Sequence, residues 1–192
     1  MPDSKVNLPL RSGVGIVVLN KDNKVFVAKR IDNQKNFWQM PQGGVDKGED
    51  YLTAAYRELE EETSIKNVEL IKECDGLISY ELPKNLLGII WKGKYRGQEQ
   101  KWFIMRFLGQ DNEIDIKTKH PEFCEWKWID LENITDLVRD GRRWGCECGS
   151  ARYRLAMVRR VLRRSVRRSL SDTTHTQRCS AGLQPPIRRT TP

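Results

Sequence analysis

Three glutamates, Glu58, Glu61 and Glu62, stand at i, i+3 and i+4 in the run Arg57-Glu58-Leu59-Glu60-Glu61-Glu62. On a helix turning about 100° per residue they share one sector about 100° wide, while Glu60 falls about 200° from Glu58 and faces elsewhere. Carboxylates so placed repel each other. A hard divalent cation offsets the repulsion, because Mg²⁺ takes oxygen ligands, keeps several waters and bridges carboxylates to substrate phosphates. An acidic run alone is more often a solvated helix face. The preceding Gln42-Gly43-Gly44 reverses that judgement, since its glycines let backbone approach a metal and phosphates at the entry to the helix.

The elements that must position these groups can be read from pattern. Leu52, Ala55, Tyr56 and Leu59 repeat at helical spacing and predict a helix over residues 49–64, with its apolar sector beside the acidic one. Gly13 to Leu19 and Val25 to Ala28 are β-branched strands joined by the turn Asn20-Lys21-Asp22-Asn23, which predicts a hairpin. Trp38 to Val45 is extended and ends in a loop, with Pro41, Gly43 and Gly44 excluding a helix. Val68 to Ile71, Leu77 to Leu82, Leu87 to Trp91, Lys101 to Leu108 and Glu125 to Ile129 are further strand candidates. Leu131 to Val138 starts a short helix that Asp130 can cap. Elements so mixed predict an α/β sandwich around a mixed sheet rather than a doubly wound parallel one.

Charge divides the 192 residues. Residues 1–138 hold 20 Lys plus Arg against 23 Asp plus Glu, net −3, whereas residues 139–192 hold 14 against 3, net +11. Before Arg139 there are 15 lysines and 5 arginines; after Val138 there are 14 arginines and no lysine. One domain seldom switches so sharply, so a catalytic domain over 1–138 and a basic, partly disordered tail over 139–192 are expected. Three readings of the tail stand: an amphipathic helix docked on the domain, a basic arm for RNA phosphates, or a non-native, out-of-frame segment. No apolar run reaches membrane-spanning length, and the N-terminus carries no secretory pattern. Cys74, Cys124, Cys146, Cys148 and Cys179 form neither a disulfide ladder nor zinc-type pairs. A cytoplasmic protein with no membrane and no DNA partner is expected.

The run 43–65 resembles the box of the Nudix hydrolases, G-x5-E-x7-R-E-U-x-E-E-x-G-U with U bulky and aliphatic. Gly43, Glu49, Arg57, Glu58, Leu59, Glu61, Glu62 and Ile65 stand at the required offsets, and Ser64 replaces the last glycine. The resemblance narrows to the bacterial RNA pyrophosphohydrolases and the dinucleoside polyphosphate hydrolases. They share Trp38-Gln39-Met40-Pro41-Gln42-Gly43-Gly44, Gly97-Gln98-Glu99-Gln100-Lys101-Trp102-Phe103 and Pro121-Glu122-Phe123-Cys124-Glu125-Trp126-Lys127-Trp128 in near-identical form.

This resemblance implies a Nudix α/β/α sandwich and metal-dependent hydrolysis of phosphoanhydride bonds in triphosphorylated RNA or dinucleoside polyphosphates. It implies more than one Mg²⁺ or Mn²⁺ ion, held by Glu58, Glu61, Glu62 and Glu122 with the Gly43 carbonyl. Glu61 and Glu122 are then the alternatives for the base, and Arg57 orients the carboxylates. Arg11, Arg30, Gln39, Gln42 and Lys101 become the substrate-binding set. Two other readings compete: a catalytically silent Nudix-fold protein that binds RNA or a nucleotide, and a hydrolase of free nucleotides.

Overall fold

The computed structural model describes residues 8–32 and 38–134. Strand β1 (Leu10–Leu19) turns into β2 (Val25–Arg30), as its turn residues require. The Asn20 side chain accepts from the backbone of Asp22 and Lys24, and Asn23 adopts the left-handed conformation that asparagine tolerates. The expected hairpin forms only at its base, where Leu19 pairs with Val25. Beyond that point the two strands part, and residues 38–44 wedge between them. Strand β3 (Trp38–Gln39) pairs with β2, and β4 (Gln42–Gly44) pairs with β1.

The rest of the sheet follows from who takes the outer edges. β7 (Gly97–Phe107) runs parallel to β1 along its full length. β7's other edge is shared by β6 (Ile78–Glu81) and β5 (Val68–Glu73). β8 (Phe123–Ile129) covers the outside of β2. The result is a mixed sheet, as expected. The apolar run Leu87 to Trp91, however, is not a strand. Both edges of β7 are already occupied, and Gly88 within the run and Gly93 just beyond it are both at positive φ. It folds instead into tight turns ending in a 3-10 turn, Ile90–Gly93.

The helix α1 (Tyr51–Thr63) starts where Asp50 caps it, accepting from the backbone N–H groups of Leu52 and Thr53. It buries Ala54, Ala55 and Leu59 against Val14, Ile16, Phe26, Phe103 and Met105. Tyr56, expected on that face, is exposed, and Ala54 takes its share. The opposite sheet face carries a second apolar core of Val17, Leu19, Val27, Trp102, Ile104 and Ile134. Near Leu131 only a 3-10 turn, Leu131–Asn133, is described, and Asp130 makes no side-chain cap there. Residues 135–138 of the expected helix and the whole expected tail lie outside the described residues. Among the described residues no helix is long and apolar enough to cross a membrane.

Candidate active site

Among the described residues strand β4 has one edge on β1 and the other without a strand partner. Register puts Gly43 opposite Val14 and leaves the N–H groups of Gln42 and Gly44 facing outward. Helix α1 closes that edge with side chains. Gln42 N–H donates to Glu62 Oε2 at 3.1 Å, and Gly44 N–H donates to Glu58 Oε1 at 2.9 Å. The carboxylates thus replace a missing neighbour strand. Each keeps its second oxygen, Glu62 Oε1 and Glu58 Oε2, without a hydrogen bond among the described residues.

Glycine at 43 is a spatial requirement. A Cβ built there would fall 1.8 Å from the Glu58 carboxyl carbon, so the carboxylate occupies a cradle that any side chain would fill. Successive residues of a strand face opposite sides, and Gly44 offers its open side to the Arg11 guanidinium, whose Nη2 lies 2.1 Å from the Cβ position. Acid sits on one face of the bend and a cation on the other, one residue of backbone apart.

Arg57 binds the acidic cluster together. It donates to Glu49 at 2.9 Å through both Nε and Nη2, to Glu58 at 3.0 Å, to Glu61 at 3.1 Å and to the Gly44 carbonyl at 2.8 Å. Hydrogen bonding to Glu49 is the chief reason that Arg57 is held firmly protonated and that Glu49 lies below the ordinary carboxylate range. Burial raises Glu58 above that range against the pull of Arg57. Glu62, only 4% exposed, is raised well above it, first by burial and then by the charge of Glu122.

Glu122 reaches this cluster from a bulge. Lys29 pairs with Glu125 but Arg30 pairs with Phe123, so Cys124 is the extra residue. The Ile31 N–H donates to the Glu122 carbonyl, and Arg30 binds the Glu122 carboxylate at 2.9 Å. Arg30 is also bidentate to Asp32. Lys101 pairs with Glu73 at 2.7 Å. Arg11 alone of the expected substrate-binding cations has no carboxylate within ion-pair distance among the described residues. Gln42 accepts from Gln100 Nε2 at 3.1 Å, while Gln39 is buried and its Nε2 has no hydrogen-bond partner among the described residues.

The residues present suit a divalent cation by donor chemistry. All the side-chain donors are carboxylate oxygens, two of them uncommitted on Glu58 and Glu62, and among the described residues the buried Glu62 carboxyl has no cation within ion-pair distance. Among the described residues no three carboxylates converge on one point, and Arg57 stands between Glu58 and Glu61. Gln98 and Gln100 entered the sequence reading only as part of a resembling motif, and the fold gives each a partner: Gln100, fully buried, donates to Gln42, and Gln98 accepts from the Tyr80 hydroxyl. Glu49 matched the box offset, but its role as the main anchor of Arg57 depends on a contact eight residues away.

The NUDIX domain model matches residues 9–147. The chain belongs to the Nudix family. It is 96% identical over 140 residues to a Pelagibacter ubique protein named RNA pyrophosphohydrolase, covering 73% of this chain and 89% of that one. A Rhodospirillum rubrum protein of the same name is 49% identical over 137 residues, covering 71% and 82%. Among solved structures, the E. coli dihydroneopterin triphosphate pyrophosphohydrolase has a TM-score of 0.53 at 22% identity, over 76% of this chain and 97% of that one, a likeness of fold. The chain is therefore a pyrophosphohydrolase, an enzyme acting on phosphoanhydride bonds, in a family that is generally dependent on divalent metal.

Proposed function

We propose that this Nudix enzyme removes pyrophosphate from the 5′ end of triphosphorylated RNA, leaving a 5′-monophosphate and so initiating RNA decay, in the cytoplasm. The observation that carries the reading is the two-sided bend: Glu58 and Glu62 fix the open edge of β4, and the Arg11 guanidinium, with no carboxylate in ion-pair distance among the described residues, lies against the other side of Gly44. Relatives named RNA pyrophosphohydrolase at 96% and 49% identity support the choice of substrate.

In this reading Glu58, Glu61, Glu62 and Glu122 hold more than one Mg²⁺ or Mn²⁺ ion, with the Gly43 carbonyl. When bound, such ions neutralise phosphate oxygens and lower the pKa of a coordinated water. Arg57 holds Glu49, Glu58 and Glu61 in register through its hydrogen bonds. Arg11 orients the phosphate chain, with Arg30, Lys101, Gln39 and Gln42 completing its contacts. Either Glu61 or Glu122 takes the proton from the attacking water.

The test is to supply triphosphorylated RNA, diadenosine pentaphosphate and free nucleoside triphosphates, with and without Mg²⁺. Metal-dependent conversion of the RNA to monophosphorylated RNA is expected; higher kcat/KM on free nucleotides would overturn the substrate assignment. Comparing Glu61→Gln with Glu122→Gln identifies the base, as the variant that loses turnover together with the acidic limb of its pH profile. The Arg-rich segment from Arg139 has no catalytic part in this proposal. Truncation after Val138 should leave metal affinity and solubility unchanged, and a large loss of either would place the tail inside the working domain.

A further inference from the structure

Arg11 is held by a ring rather than by a carboxylate. Its guanidinium carbon lies 5.6 Å from the centre of the Trp91 ring, a cation–π distance. Trp91 comes from the segment 83–96, which leaves β6 and returns as β7. The Leu82 N–H donates to the Arg96 carbonyl at 2.7 Å, and the Arg96 N–H donates to the Pro9 carbonyl at 3.0 Å, which ties the segment to the chain two residues before Arg11. Gly88 and Gly93 approach so closely that a Cβ on Gly93 would fall 3.0 Å from the Gly88 carbonyl oxygen.

At the tip of this closed loop, Trp91 and Lys92 are both left-handed, at φ 53° and 57°. Bulky side chains rarely adopt that conformation, and two in succession persist only where the surrounding structure imposes it. What the strained tip achieves is the placement of one ring. Trp91 is half-buried, with Tyr95 at 6.2 Å meeting its ring near-perpendicularly at 82°. Simple apolar burial explains it poorly, because the same loop leaves Ile89 70% exposed.

We propose that Trp91 is a positioning residue for the phosphate chain: its ring fixes the Arg11 guanidinium against Gly44, which makes the loop 83–96 part of the substrate site. The inference rests on the assignment of Arg11 to the phosphates made above. It goes further in giving a function to a segment whose composition resembles a strand.

The experiment measures KM and kcat on triphosphorylated RNA in saturating Mg²⁺ for Arg11→Ala, Trp91→Ala, Trp91→Phe, Trp91→Leu and the Arg11→Ala/Trp91→Ala pair. Trp91→Ala is expected to raise KM about fivefold with kcat within about twofold, the size of a partly exposed cation–π contact. Phenylalanine should restore most of the loss, and leucine, which keeps the bulk without a π face, should not. The double variant should be no worse than Arg11→Ala alone, because the ring acts only through that cation. An unchanged KM for Trp91→Ala beside a raised KM for Arg11→Ala would overturn the role of Trp91 and leave Arg11 in place. Full rescue by leucine would overturn it as well. An unchanged KM for Arg11→Ala would instead remove Arg11 from the phosphate site. Circular dichroism spectra and melting temperatures matching those of the parent confirm that the fold is retained in each variant.

Discussion

Glu60 and Glu62 are the same residue type two positions apart on one helix, and they do different chemistry. Glu60 is exposed and meets Lys66 at 2.9 Å in a surface ion pair, a kind of contact worth little in water. Glu62 is buried, accepts from the Gln42 backbone and is pushed well above the usual carboxylate range. Composition cannot separate them. About 200° of helical rotation does, because it turns one toward solvent and the other toward the open edge of β4.

Exchanging carboxylate for amide separates the two glutamates most strongly. Glu62→Gln should lower kcat/KM on the order of a thousandfold, while Glu60→Gln stays within about twofold. Equal losses in steady-state assays would mean that burial does not distinguish the pair. Next in size is Gly43→Ala, whose methyl would take the place of the Glu58 carboxylate. Displacement of one carboxylate by that much should cost about a hundredfold in turnover, and a variant with normal turnover would show that the cradle is not used.

The third prediction concerns pH. Glu62 and Glu58 have raised values in the fold, so the metal-free native state binds their protons more tightly than the unfolded chain does. Their contribution to stability is present below the ordinary carboxylate pKa and is lost as pH climbs through the raised values. Glu49 and Asp50, held low by Arg57 and Thr53, run the opposite way and favour the fold above that range. A divalent cation relieves only the first pair. The rise in melting temperature caused by Mg²⁺ should therefore grow from weakly acidic to neutral pH and shrink in Glu62→Gln; a pH-independent rise would contradict the assignment.

The smallest effect is expected at the helix end. Ser64 closes α1 in the left-handed conformation at φ 60°, its N–H donating to the Glu60 carbonyl. Ser64→Gly should stabilise the protein by about 1 kcal/mol in urea denaturation with activity unchanged. A destabilised variant would mean that the serine side chain contributes something the backbone geometry does not show.

The helix is legible because its signal is local: Leu52, Ala55 and Leu59 repeat at helical spacing, and the expected span 49–64 shortens only to Tyr51–Thr63, with Asp50 outside it as the cap. Ser64, which stands where the resemblance puts glycine, closes the helix in the left-handed conformation. What escaped was set by distant partners. Leu87 to Trp91 has strand composition, but strand formation needs an unoccupied edge, and β1, β5 and β6 had already taken those of β7. The parting of β1 and β2 depends on residues 38–44 entering between them. The bulge at Cys124, which brings Glu122 to Arg30, is a mismatch in strand lengths that no single segment displays. Arg11 and Arg30 looked equivalent, and only the fold shows that one is surrounded by acids and the other by a tryptophan.

The open edge of β4 has a last consequence, for how the molecule behaves among its copies. A bare strand edge is a template on which another chain can add. Here the two outward N–H groups are engaged by acceptors from the molecule's own helix, and a visiting strand would have to displace charged side chains to dock. The carboxylates that hold the edge of β4 in place also make that border inhospitable to a foreign β-strand.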